Sequence, residues 1–405
     1  MIATADWILP IGEPPIAHGF VAIDHGRIVG VGVERERPSD AVNLGRVAVL
    51  PALVNAHTHL ELSYLHGRVP PGRRFTEWVR TLMALRREYP DPEAAEILTA
   101  ARAAIAEARE SGTGLIGDVS NTLVTVPLLR EASMPAQVFY ELLGFNAPDP
   151  VSRVVEARKK ADAASGEEIR VSLAPHAPYS VAPPLFTAIR ADLDARTNRV
   201  SSVHLGESID EVEFVRETSG PLRELLEQLG VWTDAWQAVL PASKSPVAYL
   251  SDLEFLDRCV LVVHGVQFDG DDLSQLAALG ITIASCPRSN RYVGAGDPPL
   301  EAFYAMDVDV AFGTDSLASV EDLNLFAELR AARALAPRVP ARRLLESATL
   351  VGARALGFGA AFGSIEVGKH AALIAVRIPE SVVDVEEYLV NGIAPDDVSW
   401  LDDDT

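Results

Sequence analysis

The sequence predicts an α/β protein: a (β/α)8 barrel of the TIM type, carrying a small β-sandwich domain built from both chain ends. Three observations predict it. Eight short β-rich runs recur along the middle of the chain, at 47–54, 115–118, 137–141, 169–174, 200–204, 260–264, 281–285 and 308–312. Helical stretches separate most of them, which implies parallel pairing, and eight parallel strand–helix units close into a barrel more naturally than into an open sheet. The two ends lack this rhythm and carry hairpin and turn signals instead.

Near the N-terminus, the β runs 19–24 and 27–33 flank Asp24-His25-Gly26, where glycine supplies the positive φ of a tight turn. After the first run of the repeat comes a long gap, 61–92, and after the fifth a longer one, 206–258. Both are expected to form pocket-covering loops and extra helices. Helices are expected at 94–110, which is alanine-rich with Glu and Arg flanks, at 221–229, and at 271–279, which ends at Gly280. The turn-rich stretch 363–369 leads into a last β run at 371–376, and the acidic 402–404 reads as a frayed end. The expected division is a composite β domain of residues 1–48 plus 362–405 and a barrel of residues 49–361.

The 405 residues suffice for a large barrel with an appendage. Hydrophobic residues at 48% and charged residues at 23% exclude a disordered or low-complexity chain. A net charge of −22 repels nucleic acid phosphates and anionic membrane faces, so neither is expected as a partner and a small-molecule substrate is. Two cysteines, Cys259 and Cys286, without C-x-x-C spacing, provide no disulfide framework and fit a reducing cytoplasm. No apolar run reaches the roughly 18 residues of a membrane span, and residues 1–10 hold Asp6 and no basic stretch, so neither insertion nor export is expected.

In such barrels the reacting groups gather at the C-terminal ends of the strands. The runs close on His57-Thr58-His59, Glu141, His176, His204 with Glu207 beyond it, His264, Cys286-Pro287-Arg288-Ser289-Asn290 and Asp315. His57 and His59, two apart on an extended segment, place both imidazoles on one face. Closure would bring His204, His264 and Asp315 to the same mouth. Three imidazoles and a carboxylate suit one divalent ion, zinc first, with a position open for water whose pKa the ion lowers. The expected ligands are His57, His59, His204 and Asp315. His264 is expected to orient the hydroxide or polarise the substrate, with ligation as the alternative.

An amine leaving group needs a proton, and Glu207, three residues beyond His204, is placed to carry one. The alternative is a carboxylate that merely complements a helix N-terminus. The chain has four lysines, Lys159, Lys160, Lys244 and Lys369, and none closes a run. A carbamylated lysine bridging two metals is therefore not expected, and one metal is. Cys286 reads as structural, since no activating base is assigned to it.

These residues resemble the amidohydrolase superfamily, specifically its mononuclear aminohydrolase branch. The resemblance rests on the stretch from Leu50 through His57-Thr58-His59 to Leu60, on Pro175-His176-Ala177-Pro178-Tyr179, His204-Leu205-Gly206-Glu207, Cys286-Pro287-Arg288-Ser289-Asn290, Gly313-Thr314-Asp315-Ser316 and Gly363-Ser364-Ile365-Glu366-Val367-Gly368-Lys369. It implies zinc or iron on His57, His59, His204 and Asp315, acid–base work by Glu207, help from His264, and substrate contact by His176. A homodimer is the family's habit. Two positions depart from the family pattern, Ala52 for the usual Gly and Ala372 for the usual Asp.

Within the branch, 286–290 followed by 312–319 looks most like deaminases of 6-amino-6-deoxyfutalosine, which serve menaquinone biosynthesis. The benzoate of that substrate requires a local cation, expected at Arg288, Arg73 or Arg74. Asn290 and Glu141 join the expected substrate contacts. Phe75 and Trp78 either stack on the substrate or are the buried side of a helix that covers the barrel. The alternatives are deamination of methylthioadenosine or S-adenosylhomocysteine, of guanine or of aminotriazines, a chlorohydrolase or amidase on the same frame, and a metal-binding scaffold without catalysis.

Overall fold

The computed structural model describes residues 1–33, 40–233 and 244–401. The acidic tail at 402–404 lies outside them. The chain opens with β1 (Ile2–Ile8), β2 (Ile16–Asp24), β3 (Arg27–Val33), β4 (Val42–Asn43) and β5 (Val47–Pro51). Eight strands follow: β6 (Leu53–Thr58), β7 (Thr113–Ser120), β8 (Ala136–Leu142), β9 (Ile169–Pro175), β10 (Ser201–Leu205), β11 (Val260–His264), β12 (Thr282–Ser285) and β13 (Asp309–Phe312). The chain ends with β14 (Leu373–Arg377) and β15 (Val398–Trp400).

Both chain ends build one sheet, seven-stranded among the described residues, in the order β15-β14-β5-β1-β2-β3 with β4 beside β1. The β2–β3 hairpin turns at His25 and Gly26, both at positive φ, as a two-residue connection between twisted strands requires. Ala3, Ile8, Val21, Ile23, Val49 and Leu373 form its buried core.

The first run corrects the sequence reading. Residues 47–54 are two strands in two sheets: β5 pairs with β1 and β14, and β6 starts the barrel by pairing with β7. Residues 49–51, assigned above to the barrel, thus belong to the terminal sheet. Both strands are buried, so no polar residue marks the crossing. It falls at Ala52, whose N–H donates to the carbonyl of Ala372 at 2.9 Å. The two positions that depart from the family pattern therefore meet at the joint between sheet and barrel.

The barrel strands form two parallel four-stranded arcs, β6-β7-β8-β9 and β10-β11-β12-β13. Site residues close both seams. Between β9 and β10, the N–H of His204 donates to the carbonyl of His176 at 2.9 Å, and Ser201 Oγ donates to the carbonyl of Leu173 at 2.9 Å. Between β13 and β6, the N–H of Asp315 donates to the carbonyl of His57 at 3.0 Å, and Thr58 Oγ1 donates back to the carbonyl of Asp315 at 2.8 Å. Val54, Leu115, Phe139, Ala174, Val263 and Ala311 belong to a packed core cluster fed by strands of both arcs.

Helices Ala95–Glu110, Gly220–Gln228 and Gly270–Leu279 stand within a residue of their expected bounds. The last carries a capping box between Asp269 and Asp272 and ends at Gly280 in the left-handed region. The long gap 61–92 folds into a 3-10 turn, Leu60–Leu65, and the helix Phe75–Arg86. The gap 206–258 holds helices Ile209–Glu217, Gly220–Gln228 and Pro246–Asp252. No helix of the described residues is long and apolar enough to cross a membrane.

Candidate active site

The strand ends converge as the spacing of the sequence implies. Asp315 Oδ1 lies 3.7 Å from His57 Nε2 and 3.6 Å from His59 Nε2, and the Nε2 atoms of His59 and His204 are 3.3 Å apart. Ligands about 2.0–2.2 Å from a shared tetrahedral ion stand roughly 3.4 Å from one another, so these separations are those of a metal's ligand shell. His57 is fully buried, and neither of its ring nitrogens has a hydrogen-bond partner. A buried polar atom left unpaired is costly, and a divalent ion on Nε2 removes that cost at one of the two. Burial, and then the neighbouring His59 and His204, hold the His57 pKa well below its ordinary value. His204 is lowered to about 4, chiefly by burial. Neutral imidazoles are the ligand form, so the donor set fits one borderline divalent ion.

Backbone geometry aims these groups. His264 at φ 76° and Asp315 at φ 61° both sit in the left-handed region, a cost that non-glycine residues bear chiefly where the surrounding structure fixes a functional side chain. Gly313, just before Asp315, lets β13 pass against β6. A Cβ there would lie 2.7 Å from both Cβ and the carbonyl oxygen of His57.

Glu207 follows β10, and its carboxyl Oε1 stands 3.6 Å from His264 Nε2. Burial first, then the charges of Asp315 and Glu211, push its pKa well above the carboxylate range. Glu211 holds the turn that presents it, accepting the N–H groups of Gly206 and Glu207 at 2.9 Å each. The sequence marked Glu207 but not this brace.

These groups open into a cavity of ≈ 410 Å³. His176 and Glu141 line it, the latter 3.5 Å from His204 Nδ1. Phe75 and Trp78 are on the buried face of a covering helix, and both line the cavity. On the same helix Val79, Leu82, Met83 and Arg86 also face it. The offsets from Phe75 are 3, 4, 7, 8 and 11, one helical stripe, and that period was the available signal for Arg86, which the strand-end reading passed over. Arg86 is the one lysine or arginine among the described residues that line the cavity. Its Nη2 donates to Asn121 Oδ1 at 3.1 Å and lies 3.6 Å from Glu61 Oε1.

Two residues expected to contact substrate lie off the described lining of the cavity. Arg288 is absent from the described lining of the cavity; its Nη1 donates to Asp322 Oδ1 at 2.7 Å and lies 3.6 Å from the buried Glu328. Asn290 is fully buried and its Oδ1 pairs with His264 Nδ1 at 2.9 Å, so it faces the histidine and not the cavity. Of the other arginines considered, Arg74 pairs with Asp210 at 3.1 Å and Arg73 is exposed. Cys286 is fully buried, and burial raises its thiol pKa well above the ordinary value, which fits a packing role.

The model of the amidohydrolase family matches residues 48–393. A 5-methylthioadenosine/S-adenosylhomocysteine deaminase of Moorella thermoacetica is 30% identical over 97% of this chain and 90% of its own. The crystal structure of an adenosine deaminase from Xanthomonas campestris with bound zinc superposes with a TM-score of 0.82 at 27% identity, covering 98% of this chain and 90% of that one. The Helicobacter pylori aminofutalosine deaminase in complex with methylthio-coformycin gives 0.84 at 25% identity, covering 96% and 95%. With the family model spanning most of its length and barrel, this chain belongs to the amidohydrolase family.

Proposed function

We propose that the protein is a metal-dependent hydrolytic deaminase of an adenine-type nucleoside derivative, with 6-amino-6-deoxyfutalosine as the leading substrate. The observation that carries the reading is the enclosed Glu207 beside His264 at the rim of the ligand cluster. A scaffold or storage site has no use for a buried carboxyl there whose proton affinity burial and the charges of Asp315 and Glu211 raise. Bound by His57, His59, His204 and Asp315, a divalent ion, zinc in the expected case, would supply an activated water at neutral pH. Glu207 takes one proton from the water and passes it to the ring nitrogen, then takes the second from the added hydroxyl and passes it to the departing amine, which cannot leave as an amide anion. His264 and Asp315 orient the attacking water and take part in its proton transfers. His176 and Glu141 are assigned to substrate contact.

Substrate class follows from the walls. The cavity falls within the size range of small-molecule sites, and Phe75 and Trp78 offer aromatic faces to a heterocycle. Arg86 takes the role first given to Arg288, as the cation for a substrate carboxylate. The deaminase names of the similar proteins support the reaction type. A second reading is favoured by Leu225, Leu226, Leu229 and Val231, which give the cavity an apolar side: methylthioadenosine, whose thioether needs no cation.

The test is ammonia release by zinc-loaded protein from aminodeoxyfutalosine, methylthioadenosine, S-adenosylhomocysteine, adenosine, guanine and aminotriazines. Selective turnover of aminodeoxyfutalosine is expected. Selective turnover of another member keeps the mechanism and replaces the substrate; silence across the panel overturns the deaminase reading.

A further inference from the structure

Three consecutive residues after β12 each hold a different part of the molecule. The short helix Pro287–Tyr292 carries them. Arg288 fastens the helix from outside: its backbone N–H donates to Glu328 Oε2 at 3.2 Å, and its guanidinium lies between Asp322 and Glu328. Ser289 and Asn290, both fully buried, reach in opposite directions. Ser289 Oγ donates to Asp315 Oδ2 at 2.6 Å, across to the end of β13. Asn290 Oδ1 lies 2.9 Å from His264 Nδ1, across to the end of β11.

We propose that Ser289 and Asn290 are a pair of positioning residues that set, from one helical turn, the carboxylate face of Asp315 and the tautomer of His264; the consequence for turnover rests on the deaminase reading above. For Asp315, the shorter of the two contacts of the Ser289 hydroxyl is the one to Oδ2, at 2.6 Å against 2.9 Å to Ser319 Oγ, and Ser319 itself donates to the carbonyl of Ser316 at 3.0 Å. Oδ1, which accepts the N–H of Ser316 at 2.8 Å, keeps a lone pair toward His57 and His59, at 3.7 and 3.6 Å. For His264, the ring nitrogen facing a fixed acceptor carries the proton, and the other is left bare. With the amide oxygen of Asn290 on Nδ1, Nε2 presents a lone pair to Glu207 Oε1. His264 then accepts a proton or a hydrogen bond from the carboxyl side of the cavity and does not donate one. Neither Ser289 nor Asn290 lines the cavity, so both act through the residue they hold.

The experiment reads His264 directly. Protein labelled with 15N-histidine is examined by NMR in metal-free form, and the His264 signal is identified by its loss in His264→Gln. The expected wild-type spectrum shows the Nδ1–H tautomer, and Asn290→Leu shifts His264 toward a mixture while the other histidine signals keep their positions. A wild-type His264 protonated at Nε2 overturns the Asn290 assignment, and this measurement needs no variant at residue 290. For Ser289, zinc affinity is measured by competition with a chromophoric chelator in Ser289→Ala and Ser289→Thr. A loss of about 10- to 100-fold in the alanine variant is expected, as for other groups that orient metal ligands, with recovery in the threonine variant. Unchanged zinc affinity in Ser289→Ala overturns that half. If both signatures hold while no substrate releases ammonia, the deaminase reading falls and the positioning stands.

Discussion

Glu207 Oε1 faces His264 Nε2 at 3.6 Å, and both side chains are almost wholly enclosed. The pair puts a carboxyl whose pKa is raised by burial and by nearby acidic groups beside an imidazole at the rim of the ligand cluster, so replacing the carboxyl should strike the chemical step. Glu207→Gln is expected to lower kcat by about 10²- to 10⁴-fold with little change in KM, the range for loss of a general acid–base. A 6-chloropurine analogue of the substrate should lose much less, because chloride leaves without a proton. Steady-state kinetics on both substrates checks this, and equal losses would remove Glu207 from the proton path.

The ligand cluster predicts a metal content near one equivalent. Dialysis against a chelator is expected to abolish turnover and to lower Tm, since an ion held only by the folded protein adds about 2.7 kcal/mol at a hundredfold excess over Kd. His57→Ala should abolish retention of the metal. Elemental analysis and calorimetry check both, and two retained equivalents would contradict the single site.

Gly313 predicts a steric route to the same loss. In Gly313→Ala the new methyl would press on Cβ and the carbonyl oxygen of His57 at 2.7 Å, displacing a ligand without removing it. A folded protein with zinc affinity reduced at least about tenfold is expected, on the scale set by disturbed ligand orientation. Wild-type affinity would show that β6 and β13 can yield.

Glu328 predicts a pH dependence of stability. Burial pushes its pKa up to about 8, against the pull of Arg288, above an unfolded value near 4.5. The folded state therefore holds a proton that the unfolded state has lost, and stability falls as pH rises from about 4.5 to about 8. The cost above that window is on the order of a few kcal/mol, at ~1.4 kcal/mol per pKa unit. Tm measured from pH 5 to 9 should show a decline that is shallower in Glu328→Gln. An unchanged slope would assign the decline to other groups.

Arg86 predicts selectivity. Arg86→Gln is expected to raise KM for carboxylate-bearing aminodeoxyfutalosine about tenfold or more, since a charge-assisted hydrogen bond contributes roughly 1.5–3 kcal/mol, while methylthioadenosine keeps its KM. The ratio of kcat/KM for the two substrates is the measurement, and a parallel loss on both would make Arg86 a brace for Asn121 and Glu61.

The strand–helix rhythm, the hairpin at His25-Gly26 and the polar residues that close each strand were legible in the sequence. These depend on local periods and on one rule of barrels, that strand ends share a mouth. His57, His59, His204, Glu207, His264 and Asp315 could thus be listed before any contact was known. Arg86 was legible in principle, in the helical stripe that starts at Phe75.

Tertiary structure alone decided what each remaining polar residue touches. Arg288 is consumed by Asp322 and Glu328, 34 and 40 positions away, and Asn290 reaches His264 on a neighbouring strand. The split of residues 47–54 between two sheets depends on β14, more than three hundred residues later. A sequence shows which groups a residue carries and the period that sets its face. Whether a charge is left for a ligand is set by partners that only the closed fold brings within hydrogen-bond distance.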